Sequence, residues 1–216
     1  MIRIVAGSAG GRPIKVPRGG TRPTSQRVRE ALFSLLEARL AAGAAGAALG
    51  DDVAGAAGAE DEGCWAGLVV ADLYAGSGGL GLEAVSRGAA RAVLVESSRA
   101  AARIAGANAA DLGLSERVTV LSAPVEQVLA RRSLPGKTSF DLVFLDPPYG
   151  LPGGQLDQVL ARLALARLSP GGLIVLERST RDGVPVWPST WKQVDRRVYG
   201  DTVIYLAQVA ESDSAG

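Results

Sequence analysis

Short apolar runs alternate with amphipathic segments along the chain from residue 67 onward. The apolar runs predict strands at 68–74, 92–96, 118–121, 140–145 and 173–177, and the 3.6-residue periodicity between them predicts helices at 80–87, 99–112, 124–132 and 156–168. Such an alternation is typical of a buried parallel sheet with helices on both faces. Polar and apolar residues alternate instead in 192–199 and 202–209, which predicts an antiparallel hairpin at one sheet edge. The predicted fold class is therefore α/β, with a mostly parallel sheet and a C-terminal antiparallel hairpin.

The first forty residues form a smaller unit of a different kind. Two short strands at 3–6 and 12–16 flank a turn-rich, glycine-containing segment, which predicts a β-hairpin. Apolar residues at helical spacing then predict a helix over 25–40, capped by Thr24 or Ser25. A small N-terminal hairpin and helix are thus expected to extend the α/β unit.

An alanine- and glycine-rich segment separates these two parts. Of the 19 residues in 41–59, 15 are Ala or Gly, and the five glycines should break a helix. We expect a flexible linker or insertion over 41–64. The chain then divides into 1–40, this linker, an α/β domain over 65–209 and a disordered tail at 210–216.

The composition excludes several kinds of chemistry. The chain has no histidine and a single cysteine, Cys64 in the expected linker, so it can form neither a Ser-His triad, nor a His-ligated zinc site, nor an internal disulfide. No metal site is expected, and Cys64 is expected to be inert. No apolar run reaches the length of a membrane span, and the start of the chain does not resemble a secretion signal, so we expect a cytoplasmic protein.

Charge is distributed unevenly along the chain. Eight basic and two acidic residues give residues 1–40 a net charge of +6, whereas residues 41–63 carry −5 and the whole chain only +1. A concentrated basic end favours a polyanionic partner, most simply a nucleic acid. The alternative is a solvated basic face that reflects biased genomic composition, since the chain has 20 arginines and only 3 lysines.

The loop after the first core strand carries the first candidate site. In an open parallel sheet, ligands bind beyond the carboxyl ends of the strands. Gly76 and Gly78 remove the side chains that would keep a ligand from the backbone, and the following helix presents free N–H groups. Glu96 ends the next strand 20 residues after Gly76, where a carboxylate can bind both hydroxyls of a ribose. The loop therefore predicts an adenosine-containing cofactor.

Two cofactor classes fit this loop. Gly76, Gly78 and Gly81 match the G-x-G-x-x-G pattern of nicotinamide dinucleotide sites. Asp72, at the strand end, suits an ammonium group better than a pyrophosphate. The dinucleotide alternative also lacks the side chains that hydride transfer would need elsewhere in the chain.

The loop after the fourth core strand distinguishes these alternatives. Asp146 is followed by Pro147, Pro148 and Tyr149, and because prolines have no N–H, the loop offers hydrogen-bond acceptors only. The Asp146 carboxylate and the Pro147 carbonyl can accept the two N–H bonds of a planar exocyclic amine, while Tyr149 can stack on its ring. This arrangement favours a site for a planar exocyclic amine over a site for hydride transfer.

Here the sequence resembles a known family. Residues 72–78 and 146–149 look like the corresponding loops of S-adenosylmethionine-dependent amino-methyltransferases of Rossmann-like fold. Within that superfamily, residues 3–7, 22–33 and 81–88 resemble the RsmD-type 16S ribosomal RNA guanine-N2 methyltransferases. The resemblance covers almost the whole chain outside 41–64. It implies methyl transfer to the exocyclic N2 amine of a guanine in small-subunit RNA, by a monomer that needs neither a metal nor a membrane.

Roles for individual residues follow from the two loops and from the resemblance. Gly76 and Gly78 would hold the methionine part of S-adenosylmethionine, with Asp72 toward its ammonium group and Glu96 on its ribose. The resemblance adds Tyr74, Ser77 and Ser97 to this pocket. Asp146, Pro147 and Tyr149 would hold the target base, which must leave its stack to enter the site. The residues expected to contact RNA phosphates are Arg3, Arg12, Lys15, Arg18, Arg22 and Arg27.

The chain departs from the family pattern at one position, and three alternative functions stay open. The family tends to place Asp or Asn near the adenine after the third core strand, where this chain has Ser122-Ala-Pro, so Ser122 or the backbone must contact the adenine. Arg27 and Arg29 could instead turn toward the cofactor cleft. The rivals are a non-catalytic RNA-binding protein, an amino-methyltransferase acting on adenine or cytosine in RNA or DNA, and a protein-glutamine methyltransferase. The last would favour Asn in place of Asp146.

Overall fold

A computed structural model describes residues 2–17, 26–47, 63–130, 139–148, 150–151, 153–166 and 168–210. The strands are β1 (Ile2–Arg3), β2 (Pro13–Ile14), β3 (Val69–Leu73), β4 (Arg91–Glu96), β5 (Val118–Ser122), β6 (Phe140–Leu145), β7 (Leu168–Ser179), β8 (Trp191–Tyr199) and β9 (Thr202–Val209). The α-helices are α1 (Gln26–Ala47), α2 (Gly79–Ser86), α3 (Arg99–Leu112), α4 (Val125–Ala130) and α5 (Gly153–Ala164). None of the helices in this part of the chain combines the length and apolarity needed to cross a membrane.

Seven of the strands form one sheet with the order β5-β4-β3-β6-β7-β9-β8. The first five are parallel, whereas β9 pairs antiparallel with both β7 and β8. The α/β class, the mostly parallel sheet and the C-terminal hairpin predicted from the sequence are confirmed. The chain moves outward from β3 to β4 and β5 and then returns to the other side of β3 with β6. The strand order therefore reverses at β3, where open sheets of this kind bind their ligands.

Two predicted helix ends are wrong. The first helix continues to Ala47, past Gly43 and Gly46, instead of ending near residue 40. Each glycine costs about 1 kcal/mol relative to alanine, and the alanines between them have the highest helix propensity of any residue. Residues 48–62 of the expected linker lie outside the described part, as do the cap residues Thr24 and Ser25. Helix α5 spans Gly153–Ala164 instead of 156–168: Leu165 is 90% exposed and does not continue the buried face, and β7 already begins at Leu168.

The N-terminal helix packs against the sheet and shares its core. Phe33 of α1 is fully buried, with its ring 5.4 Å from that of Trp65 and 5.8 Å from that of Phe144 on β6. The Arg87 guanidinium lies 4.8 Å from the Phe33 ring centroid and bridges to Glu37 of α1 at 2.5 Å. These contacts fix α1 beside the carboxyl end of α2.

The N-terminal hairpin is attached to α2 through a buried carboxylate. Glu83 is fully buried and accepts hydrogen bonds from the backbone N–H groups of Val5 at 2.6 Å and Ala6 at 3.0 Å. Gly7, with φ +81°, approaches so closely that a Cβ there would lie 1.9 Å from the Ser86 carbonyl oxygen. The hairpin is therefore held on the helix that begins at the glycine-rich loop.

Close packing of α2 against β4 depends on Gly81. A Cβ at this position would lie 2.3 Å from Leu94 Cδ2, and Leu94 is fully buried. We expect Gly81→Ala to lower the free energy of unfolding by about 1–3 kcal/mol, because the core must shift to admit the methyl group. Urea denaturation measures this change.

The matched control is Gly106→Ala in α3, where a Cβ would meet nothing within 4 Å. This substitution should raise the free energy of unfolding by about 0.4–1 kcal/mol, as alanine favours the helix. Equal effects of the two substitutions would contradict the packing role of Gly81.

Candidate active site

The carboxyl ends of β3, β4 and β6 open into a cavity of about 540 Å³. Leu73 of β3 pairs with Val95 of β4 on one side and with Leu145 of β6 on the other. The residue that follows each of these three, Tyr74, Glu96 and Asp146, therefore emerges at the same sheet edge, and all three line the cavity.

The structure brings most of the predicted cofactor and catalytic residues together. The predicted residues that line the cavity are Asp72, Tyr74, Gly76, Ser77, Glu96, Ser97 and Asp146. Gly78, Ser122 and Pro147 are close in sequence to the cavity but are not among its lining residues. Tyr149 lies outside the described residues.

The two glycines of the β3–α2 loop have different structural roles. Gly76 has φ +54°, and a Cβ there would meet nothing within 4 Å, so its backbone faces open space at the cavity wall. Gly78 is the N-cap of α2 with φ +84°, and a Cβ there would approach Leu82 and Leu94 to 3.0 Å. Gly76 leaves room for a ligand, whereas Gly78 is needed for the turn and for helix packing.

Glu96 joins the two loops that border the cavity. One carboxylate oxygen accepts the Gly76 N–H at 2.9 Å, and the other accepts the Ser98 N–H at 2.7 Å. The side chain is only half-buried and faces the cavity. Each oxygen of a carboxylate can accept more than one hydrogen bond, so Glu96 can also bind ligand hydroxyls.

Asp72 of β3 is a buried carboxyl group that reaches the first turn of α2. Its side chain accepts the Gly81 N–H at 2.8 Å and is 2% exposed. Burial raises the pKa of Asp72 to about 7; the Gly81 hydrogen bond opposes this shift, and the Glu96 charge adds to it. A cation placed beside Asp72 would favour the ionised form.

Asp146 directly follows the last residue of β6. Strand β6 lies on one side of β3, which carries Asp72, and β4, which ends with Glu96, lies on the other side. Its backbone N–H donates to the Leu73 carbonyl at 3.4 Å, which extends the pairing with β3 by one residue. Its half-buried side chain lines the cavity together with Pro148 and Leu151, whereas Pro147 is buried. The cavity therefore has an acceptor group next to a segment with two prolines and no N–H to donate.

Two further residues line the cavity: Glu126, which the sequence patterns do not indicate, and Arg29, whose orientation they leave open. Glu126 of α4 lines the cavity, and its carboxylate accepts from the Tyr74 hydroxyl at 3.4 Å. Burial and this carboxylate raise the pKa of Tyr74 above its usual range. Because Glu126 follows β5 by four residues, the rule that ligands bind at strand ends could have located it. Arg29 also lines the cavity and is 2% exposed, which helical periodicity alone did not determine.

Two of the basic residues expected on RNA contact the carboxyl end of α3. The Arg12 guanidinium donates to the carbonyls of Leu112, at 3.1 Å, and Asp111, so it caps the carboxyl end of α3. Lys15 forms an exposed ion pair with the Asp111 carboxylate at 2.8 Å.

Two further basic candidates, Arg3 and Arg27, are both exposed. The Arg3 guanidinium donates to the Gly11 carbonyl at 2.7 Å, and Arg27 lies on α1. Arg18 and Arg22 lie outside the described residues. Within the described ranges, no three His, Cys, Asp or Glu side chains are grouped so that they could hold a metal ion.

Comparison with known proteins identifies relatives over nearly the full chain. The sequence model of the family described as conserved hypothetical protein 95 matches residues 2–208. Ribosomal RNA small subunit methyltransferase D of Escherichia coli K12 is 32% identical over 209 residues, which are 96% of this chain and 89% of the relative.

Solved structures agree with this result. An Escherichia coli protein, yhhF, provisionally described as a methyltransferase, superposes with a TM-score of 0.76 at 29% identity and covers 98% of this chain and 99% of its own. A hypothetical protein of Thermus thermophilus gives a TM-score of 0.71 at 31% identity, with the same coverage.

The raised pKa of Asp72 predicts a pH-dependent stability. Between the ordinary carboxyl pKa near 4 and about 7, the folded protein keeps a proton that the unfolded chain has lost, so stability falls as pH rises. In Asp72→Asn, the amide oxygen can still accept the Gly81 N–H, and no carboxyl is left to titrate. From pH 5 to pH 8, the free energy of unfolding of the wild type should fall by up to about 3 kcal/mol relative to that of this variant. Urea denaturation at each pH measures this difference.

Asp201→Asn serves as the control, since Asp201 is exposed in the β8–β9 turn. Its stability curve should run parallel to that of the wild type across this pH range. If the curve of Asp72→Asn is also parallel to the wild type, the assigned pKa is wrong.

Proposed function

The chain belongs to the conserved hypothetical protein 95 family, and we propose that it transfers a methyl group from S-adenosylmethionine to the exocyclic N2 amine of a guanine in 16S ribosomal RNA. The observation that carries this proposal is the shared cavity, in which the Asp146-Pro-Pro segment stands beside the Gly76 loop and Glu96. A cofactor site and a site for an amine are thus adjacent at one sheet edge.

The cavity residues fit S-adenosylmethionine, which supplies a methyl group activated by a positively charged sulfur. Gly76 offers a backbone that a ligand can approach, since no Cβ occupies the space in front of it. Glu96 faces the cavity with acceptor oxygens for the ribose hydroxyls, and Asp72 supplies an acceptor for the ammonium group. Ser77 and Ser97 line the same wall. We also assign the adenine contact to Ser122. Its support is that Pro124 and Val125, which follow Ser122 closely in the sequence, line the cavity.

Asp146 orients the guanine amine in this proposal. Its carboxylate and the Pro147 carbonyl accept hydrogen bonds from the two N–H groups, which opposes delocalisation of the nitrogen lone pair into the ring and aims it at the methyl carbon. The nitrogen would displace S-adenosylhomocysteine from that carbon and release one proton to Asp146 or to water. Tyr149 stacks on the flipped-out base, a contact worth about 1–3 kcal/mol. Alignment of the two reactants supplies most of the acceleration, up to about 7–11 kcal/mol where the geometry is near ideal.

The N-terminal hairpin and α1 provide the docking surface for RNA in this proposal. Exposed Arg3 and Arg27 contact phosphates directly, together with Arg18 and Arg22. Arg12 and Lys15 fix this surface to the end of α3. The proposed substrate is RNA within a small-subunit particle, and the proposed enzyme is a cytoplasmic monomer that needs no metal.

Transfer of radiolabelled methyl groups to small-subunit particles from a strain that lacks this gene tests the function. Nucleoside digestion should place the label in N2-methylguanosine. Asp146→Ala should lower kcat by about 10²–10³-fold, because the amine loses the acceptor that orients it. The affinity for S-adenosylhomocysteine, measured by calorimetry, should change only a few-fold.

Glu116→Ala removes an exposed carboxylate just before β5 begins, at the end of the strands opposite the cavity, and should react at the wild-type rate. Wild-type activity of Asp146→Ala would contradict the role of the loop. Label in adenine, cytosine or protein would leave the methyltransferase chemistry intact but contradict the proposed substrate.

The docking surface predicts that RNA affinity falls steeply with salt. Each phosphate contact contributes a slope of about −0.7 to −0.9 to the plot of log K against log salt concentration. Arg27→Ala should reduce the magnitude of this slope by about 1, and a filter-binding titration between about 50 and 300 mM salt measures it. Arg91 is exposed where β4 begins, at the end of the strands opposite the cavity. Arg91→Ala should therefore leave the slope unchanged. Identical slopes for both variants would exclude Arg27 from the docking surface.

A further inference from the structure

Arg29 is a buried cation at the cavity wall whose hydrogen-bonding capacity is mostly unused. Its side chain is 2% exposed, and Nη2 donates to the Arg3 carbonyl at 2.7 Å. Nε and Nη1 are buried, and no atom of the described residues accepts a hydrogen bond from either. Buried polar groups in proteins are nearly always satisfied, so two orphaned donors at one guanidinium indicate a missing partner.

The position of these donors at the cavity favours a ligand as the missing partner. Arg29 lines the cavity with Gly79 and Leu80, the first two residues of α2. A Cβ on Gly79 would lie 3.8 Å from Arg29 Nη1, so the guanidinium stands directly beside this helix terminus. The N-terminus of a helix carries partial positive charge and favours an anion. The helix end and the guanidinium therefore create a positive region at one end of the cavity.

The nearest carboxylates do not hydrogen-bond the two orphaned donors of Arg29. Burial lowers the pKa of the Arg29 guanidinium, and the charges of Glu83 and Glu30 oppose that shift. Glu83 already accepts hydrogen bonds from Val5, Ala6 and Arg87. Among the described residues that line the cavity, Arg29 is the single basic side chain.

Asp72 and Arg29 together match an α-amino acid group. Both line the cavity, and both lie beside the first turn of α2, where Gly81 donates to Asp72 and Gly79 faces Arg29. An α-amino acid carries an ammonium and a carboxylate on the same carbon atom. One acid and one guanidinium at this turn can receive the two charges at once.

We propose that Arg29 binds the carboxylate of the methionine part of S-adenosylmethionine, through Nη1 and Nε. This inference rests on the proposed cofactor. An RNA phosphate is a poorer candidate for the same anion site, because Arg29 is almost fully buried, whereas a polynucleotide backbone stays at the protein surface. The planar fork of a guanidinium also matches the two oxygens of a carboxylate.

Calorimetric binding of two ligands tests this assignment without any methyl transfer. One ligand is S-adenosylhomocysteine, and the other is S-adenosyl-3-thiopropylamine, which lacks only the carboxyl group. The wild type should bind the second ligand about 10–150-fold more weakly, the range for hydrogen bonds to charged groups. Arg29→Gln should weaken S-adenosylhomocysteine binding by a similar factor while binding the analogue within about threefold of the wild type.

Arg39→Gln is the matched control, since Arg39 lies on the same helix but contacts Asp195 and the Val194 carbonyl outside the cavity. It should bind both ligands as the wild type does. Equal weakening of both ligands by Arg29→Gln would contradict the proposal, as would unchanged S-adenosylhomocysteine affinity together with weaker RNA binding.

A crystal structure of the wild type with S-adenosylhomocysteine provides a second test if Arg29→Gln fails to fold. The ligand carboxylate should lie about 2.7–2.9 Å from Nη1 or Nε. A carboxylate directed to solvent or to another cation would overturn the assignment. No measurable binding by the wild type would overturn both the cofactor and the Arg29 proposals, whereas binding without RNA methylation would contradict only the proposed substrate.

Discussion

The parallel register that holds β3 between β4 and β6 is the constraint on which the candidate site depends. Because Leu73 is level with both Val95 and Leu145, the side chains that follow each strand meet at one edge. Asp72, Glu96 and Asp146 are far apart in sequence and line one cavity for this reason. The reversal of strand order between β3 and β6 leaves a crevice at this edge, since the chain leaves β3 toward β4 on one side and leaves β6 toward β7 on the other.

Backbone N–H groups and one buried guanidinium balance the negative charge that this register concentrates. Glu96 and Asp72 accept N–H groups from the loop and helix that follow β3, so each carboxylate also fixes the backbone that borders the cavity. The raised pKa of Asp72 reflects both its burial and the Glu96 charge. Arg29 reaches the same region from α1 and donates to the hairpin at Arg3, which links the proposed docking surface to the proposed cofactor site.

Local patterns predicted those features that depend on local sequence. Apolar runs and turn residues indicated the strands, the mostly parallel sheet and the C-terminal hairpin, and the rule for strand ends indicated Gly76, Glu96 and Asp146. Contacts between distant segments were not accessible: Arg12 caps α3, Glu83 binds the hairpin, and Gly81 packs against Leu94. The extension of α1 to Ala47 was not predicted, because the glycines were expected to break the helix and the high helix propensity of the alanines around them outweighs this effect.

The central claim is that one cavity holds the cofactor and presents the guanine amine to Asp146. A crystal structure of the protein with S-adenosylhomocysteine and a short RNA hairpin that contains the target guanine tests it most directly. We expect the guanine N2 about 3 Å from the Asp146 carboxylate and about 3–3.5 Å from where the methyl carbon would stand. A guanine bound outside the cavity, or one whose N2 points away from Asp146, would contradict the account.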